Sequence, residues 1–384
     1  MDPPTAPLGR RRFLVLVGGA AAYEYLRPGA ALAKKLASGP PTLQPWTLPE
    51  LSPEGGIELA KAVIGAAVLA PSHWNTQPWR METEGESIRL VADPSRSLPV
   101  VDPEQSSMYI ALGAALENML IALRAYGRQP SVEYLPDAGT KPVVARVTWT
   151  PVETRRDRVL FSAIPLRRTN RRDYDERGIY MQNRAALNAQ LPSDVKVHWI
   201  DDRDRIEALG DLVRDAAEAQ LDDPRTQKEQ FAWMRFDDQA RKHGDGIKVD
   251  DLEYGGPALW FAGRTLNPGS MFARFGQGSA VRHARGAVRS SGALALFTIA
   301  NGNPRAWING GQAFERFVLR ATSLGIAHQP IHAPIEVARF RGDLARAFGA
   351  IGEEPLLLVR LGHAKTPDPS MRRSVAMVAS FRSS

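Results

Sequence analysis

Four short stretches carry residues whose types and spacing suit chemistry. The first is APSHWNTQPW at 70–79. Pro71 and Pro78 fix φ and remove backbone donors, while Ser72, His73, Asn75 and Thr76 offer polar groups to a tight turn. The second is RRTNRRDY at 167–174, in which Arg167, Arg168 and Arg171 surround Thr169. Arginine is a planar, multi-donor cation that grips phosphate bidentately, although the same composition also describes a solvated charged turn. The third is HQPIHAP at 328–334, which holds Pro330, Ile331, His332 and Ala333. His328 and His332 stand four apart, but the proline between them argues against a helix, and no carboxylate motif completes a metal site. The fourth is the pair Arg372 and Arg373.

Composition removes several alternatives. The 384 residues include no cysteine, which excludes thiolate nucleophiles, thiolate metal sites and disulfides. The formal charge is +7, but the arginines are scattered and no nucleic-acid motif accompanies them. Hydrophobic residues make up 43% and charged residues 24%, an ordinary globular balance without an uninterrupted membrane-length apolar run.

The elements that must position these residues occur in a repeated pattern. YIALGAALENMLIALRAYGRQPSVEYLP from Tyr109 and WINGGQAFERFVLRATSLGIAHQPIHAP from Trp307 both read as long apolar-faced helices closed by glycine. Gly113, Ala115, Glu117 and Gly127 of the first match Gly311, Ala313, Glu315 and Gly325 of the second, with equal spacing (127 − 113 = 325 − 311 = 14). Strand-like runs precede them (SIRLVADP, ALALFTIAN) and follow them (ARVTWT, PLLLVRLGH), so strand, helix, strand occurs twice. Further helices are expected at 54–69 and about 203–220. The segment 221–290 is too long for a passive loop. Its FAWMRF at 231–236, with Trp260, Phe261, Phe272 and Phe275 beside glycines, suits a mobile aromatic cover.

The N-terminus resembles a twin-arginine signal peptide. Arg10, Arg11 and Arg12 precede Phe13 and Leu14, a short apolar run reaches Tyr23, and Ala31-Leu32-Ala33 offers a cleavage site. This implies the twin-arginine export machinery as a partner and a periplasmic, exported destination. Without a functional signal the chain would be cytoplasmic.

The chemical motifs also carry a resemblance. APSHWNTQPW resembles the PSxxNxQPW motif of the nitroreductase superfamily, and RRTNRRDY its RRSxRxF opening, with Thr169 for serine and Tyr174 for phenylalanine. GQAFERFVLRATSLGIAHQPI resembles the family's central helix and flavin-reaching loop, and RLGHAKTPDPSMRRSV its C-terminal arm. The resemblance covers most of 54–376 except the insertion. It implies an α+β nitroreductase fold with FMN as cofactor. Because the motifs are divided between the halves, it resembles the single-chain Acg-type branch, in which one monomeric chain mimics a dimer and completes one site.

On that reading the domains are a signal peptide at 1–33, a linker at 34–50, an N-terminal half at 51–155 and a C-terminal half at 156–384 with a lid-like insertion at 221–290. Arg167, Arg168, Thr169 and Arg171, closed by Arg372 and Arg373, are expected on the phosphate and ribityl chain. Pro71, Ser72, His73 and Asn75 are expected to reach the flavin from the other half, while Pro330, Ile331, His332 and Ala333 lie along its N5 edge. Flavin performs hydride and electron transfer itself, so no catalytic side chain is assigned. The expected function is an FMN-dependent oxidoreductase acting on a small molecule or electron acceptor. The alternatives are a flavin-sequestering protein with a closed lid and, more remotely, an oxidase that modifies peptides or heterocycles.

Overall fold

The structure is a computed structural model that describes residues 44–54, 56–136, 142–175, 177–189, 191–236, 241–248, 251 and 271–382, with side chains omitted at 44 and 271–279. The expected signal segment, most of the expected linker, and Trp260 and Phe261 lie outside the described residues, as do the side chains of Phe272 and Phe275. Where the linker is described, it joins the core: Trp46 is 1% exposed and donates its indole N–H to the Ser370 carbonyl at 2.7 Å.

Helix α1 (Gly56–Ala67) follows the linker, and the expected alternation of strands and helices then appears. Strands β1 (Trp79–Glu84), β2 (Ser87–Ala92), β3 (Arg128–Tyr134) and β4 (Val143–Pro151) form an antiparallel sheet in the order β1-β2-β4-β3. After β5 (Lys196–Ile200) comes a two-stranded parallel pair, β6 (Met234–Arg235) and β7 (Ile247–Lys248). Strands β8 (Ala293–Ile299), β9 (Ala327–Ile331) and β10 (Glu354–Gly362) join β5 in a second antiparallel sheet ordered β5-β8-β10-β9. The two orders match strand for strand. Pro130 and Pro330 both fall on edge strands, where a missing N–H costs no ladder bond. Strand β11 (Ala379–Arg382) leaves the second unit and pairs in parallel with β1 of the first.

Between the sheets run α2 (Ser106–Ala125) and, after α3 (Arg203–Leu221) and α4 (Met271–Arg289), the equally long α5 (Pro304–Ser323). They approach until backbone meets backbone. A Cβ on Gly113 would overlap the carbonyl oxygen of Ile308, and one on Gly311 that of Ile110. One shift relates both contacts (308 − 110 = 311 − 113 = 198), so the crossing is reciprocal. By length and apolarity α2 could cross a membrane, but 83% of it is buried inside the protein.

The second sheet is covered on both faces. Ala293, Ala295 and Phe297 of β8 pack with Phe314 and Phe317 of α5, while Leu294 and Leu296 pack with Ile206, Leu209 and Val213 of α3. That alternation follows from the two-residue period of a strand. The described part of the insertion therefore includes structural cover, since Val288 of α4 joins the same outer cluster.

Candidate functional site

A cavity of about 240 Å³ opens where the two sheet-helix units meet. Pro71 to Trp74 form one wall, Thr169 and Arg171 a second, and Gln329 to Ala333 a third. Ile110, Ala111 and Ala114 of α2 and Phe314 of α5 supply an apolar side. The insertion contributes Leu221, Gln230, Ile247, Ala280, His283, Ala284 and Ala287.

Of the residues singled out in the sequence, Pro71, Ser72, His73, Thr169, Arg171, Pro330, Ile331, His332 and Ala333 thus line one cavity. Asn75, Arg167, Arg168, Arg372 and Arg373 do not, and their contacts explain why. Asn75 donates to the carbonyls of Gly246 and Met371 at 2.9 and 3.0 Å, and its Oδ1 accepts from Arg372 at 2.8 Å. Arg372 also donates to the carbonyls of Leu69 and Ala70, and Arg373 to those of Gln77 and Trp79. The expected closing arm on a phosphate is, in this structure, a clamp on the 70–79 turn. The clamp has strain to hold. Trp74, Asn75 and Gln77 all take left-handed backbone with φ of 44°, 57° and 52°, a region that costs non-glycine residues about 1–3 kcal/mol each.

Arg168 and Arg372 both lie over the buried Trp46 ring, 4.1 and 4.9 Å from its centroid. Arg167 sits 3.8 Å from Glu315 of α5. Burial pushes the Glu315 carboxyl up to about 7, with the nearby Arg167 opposing that shift. Arg167 Nε and Nη1, Arg168 Nε and Arg372 Nε have no hydrogen-bond partner among the described residues.

The arginine-rich opening is held in strand-like register against β9. Thr169 bridges His328, and the Asn170 N–H donates to the His328 carbonyl at 3.0 Å. Arg360, fully buried, donates to the carbonyls of Asn170 and Arg172 and stacks 3.9 Å from the Tyr174 ring centroid. Tyr174 is therefore an anchor for the opening. Thr169 and Arg171 face the cavity from that fixed segment.

The sequence reading missed Glu336. The chain from His328 to Ile331 is strand rather than helix, as the intervening proline implied: β9 ends at Ile331, and His332 precedes the four-residue helix α6 (Ala333–Glu336). That turn brings Glu336 back to the cavity wall. Its Oε1 lies 3.1 Å from His73 Nε2 and 3.7 Å from His332 Nδ1. Burial raises the Glu336 carboxyl to about 8, while burial lowers both imidazoles, assisted at His332 by Arg171. The i, i+4 spacing from His332 was visible, but its partner His73 is remote in sequence.

Fold and site together define an α+β protein with a donor-lined cavity between two similarly ordered sheet-helix units. No protein-family model matches the chain. Curated relatives do. Rv3131 of Mycobacterium tuberculosis, provisionally named an NAD(P)H nitroreductase, is 29% identical over 332 residues, 84% of this chain and 92% of the relative. Acg of the same organism, with the same provisional name, is 31% identical over 121 residues, 31% of this chain and 37% of Acg. The chain is thus similar, over most of its length, to proteins named as nitroreductases. Among solved structures, the FMN-dependent nitroreductase NfnB of Mycobacterium smegmatis, in complex with NADPH, is 16% identical with a TM-score of 0.38, covering 58% of this chain and 98% of NfnB. A provisionally named nitroreductase of Anabaena variabilis gives 11% identity and a TM-score of 0.39, covering 73% of this chain and 69% of its own.

Proposed function

We propose that the protein is an FMN-dependent oxidoreductase of nitroreductase type, with one flavin site per chain. The observation that carries this reading is convergence: the 70–79 turn, the arginine-rich opening and the β9 loop wall one cavity although sequence separates them widely. The names of its curated relatives supply the class of chemistry.

The residues fit the cofactor. Ser72, Thr169 and Arg171 give the cavity hydroxyl and guanidinium donors suited to the ribityl and phosphate end, while Phe314 and the alanines of α2 suit an aromatic ring. Outside the cavity lining, Arg167 Nε and Nη1 and Arg168 Nε, which lack a hydrogen-bond partner among the described residues, are the kind of donors an anion satisfies. Pro330 to Ala333 would border the ring's redox edge. When bound, FMN supplies hydride or electron transfer; the chain binds it, orients it and limits access. We read the chain as an internal pseudo-dimer of the Acg type. The reciprocal Gly113 and Gly311 crossing and the matched strand orders support that. The N-terminal motif supports twin-arginine export, which fractionation and N-terminal sequencing of the mature protein test.

A second reading, flavin sequestration with little turnover, draws support from the insertion, whose α4 residues line the cavity. Anaerobic mixing of the purified protein with NADH, NADPH and dithionite separates the two. Bleaching of a yellow protein by a nicotinamide supports the reductase, bleaching by dithionite alone supports sequestration, and a colourless protein that takes up no FMN refutes both.

A further inference from the structure

His73, His332 and Glu336 form a compact titratable cluster, with ligand atoms within 4.8 Å of one another. The geometry decides what such a cluster can hold. The His73 and His332 rings are stacked, with centroids 4.1 Å apart and planes 6° from parallel. A metal ion sits in the plane of each imidazole that ligates it, and two stacked parallel rings share no such point. A proton has no such requirement. It needs one donor and one acceptor that can be brought into line, and Glu336 Oε1, which makes no hydrogen bond to the described residues, has His73 Nε2 at 3.1 Å and His332 Nδ1 at 3.7 Å as its neighbours. The longer contact is not a hydrogen bond as it stands, and a relay through it requires it to tighten when substrate binds, as catalytic hydrogen bonds commonly do.

The three groups differ in access. The His73 and Glu336 side chains are 5% and 6% exposed, whereas His332 is 26% exposed. The surroundings favour keeping a proton on the carboxyl. Burial acts most strongly, and Asp102 and Glu229 add like charge, against the Gln220 side chain of α3, which donates to Oε2, and the charge of Arg341. Arg171 faces His332 and disfavours a lasting positive charge there. The cluster is thus a neutral acid beside two neutral imidazoles.

On the oxidoreductase reading above, we propose that Glu336 and His332 form a proton relay feeding the cavity, with Glu336 as the store, His332 as the outlet and His73 as a positioning residue stacked on it. A substrate that accepts a hydride also needs a proton, and the electron pair comes from a reduced flavin. The His332 Nε2–H bond breaks as an O–H bond forms on the reduced substrate. His332 Nδ1 takes the Glu336 proton, whose O–H bond breaks to leave a carboxylate; solvent then protonates Nε2 as the Nδ1 proton returns to that carboxylate, which restores the starting tautomer. The imidazole ends neutral, as it began.

Two measurements on the full-length, flavin-loaded protein test this. In infrared pH-difference spectra, a protonated-carboxyl C=O band should persist at neutral pH, vanish as pH rises through about 8, and be missing in Glu336→Gln. An unchanged band in that variant overturns the proton store. In the second, the flavin is photoreduced without nicotinamide and mixed with a quinone or nitroaromatic acceptor. Glu336→Gln and His332→Gln should each slow reoxidation about tenfold or more, with Glu336→Asp recovering part of the rate and Glu336→Gln flattening its fall at alkaline pH. Slower reoxidation with the wild-type pH profile intact indicates a structural role and overturns the relay. If acceptors never reoxidise the wild-type flavin, the oxidoreductase reading fails, and the relay fails with it even where the infrared band shows a stored proton.

Discussion

At the scale of single residues, arginines that look alike in sequence divide into a cavity residue and clamps. Arg171 reaches the cavity, whereas Arg372 spends its donors on Asn75 and on the carbonyls of Leu69 and Ala70. Arg372→Ala should therefore lower unfolding free energy by about 3 kcal/mol, read from denaturant titration, because it strands several buried acceptors. Arg171→Ala should leave stability within about 0.5 kcal/mol and weaken FMN retention about tenfold or more, read by flavin fluorescence after dialysis. A similar stability loss in both variants would contradict this division. The motifs announced these residues but not their partition. Asn75 and Arg372 are 297 positions apart, and no local rule of turn chemistry reports a partner at that range. His73 and Glu336 were hidden from each other for the same reason.

Elements were legible where burial imposes a period and obscure where it does not. The central strands β8 and β10, apolar on both faces, and the long helices α2 and α5 stand out as continuous or periodic apolar runs. The expected helices at 54–69 and 203–220 appear as α1 and α3. Strand β1 (WRMETE) alternates with charged residues, and β3 and β9 contain proline, so neither looks like a strand until its edge position is known. The helix crossing is the element with least tolerance. Gly311→Ala places a methyl group against a backbone carbonyl that cannot rotate away, so α2 and α5 must separate. A loss of about 2–3 kcal/mol is expected, measured as a fall in Tm, and Gly113→Ala should behave alike. A neutral result at both positions would show that the helices can slide apart freely.

For the molecule as a whole, five buried groups shape the dependence of stability on pH. The carboxyls of Glu315 and Glu336 rise from 4.5 to about 7 and about 8, so the folded state holds their protons longer than the unfolded state does. Their contribution falls as pH rises through that range. His73, His328 and His332 shift the other way, below 6.5, so folding excludes their protons and their contribution is lost as pH falls below that value. Three imidazoles outweigh two carboxyls below about pH 6.5, and the carboxyls act alone above it, which predicts a stability maximum near pH 6.5. Denaturation midpoints across pH 4.5 to 8.5 check this, and a monotonic rise toward alkaline pH would refute it. The single-site reading likewise predicts one FMN per chain by absorbance titration.

The path of the C-terminal arm has a consequence for the chain as it is made. Arg372, Arg373 and β11 secure a turn and a sheet belonging to the first unit, yet they leave the ribosome after both units have emerged. The strained turn at 74–77 has its bonds to Ser72, Arg96, Gly244 and Gly246 available first, and gains those of Arg372 and Arg373 only after residue 373 has emerged. Translation order itself delays completion of the pocket, so a chain cut short before residue 371 would hold two nearly finished sheets and an unfinished binding site.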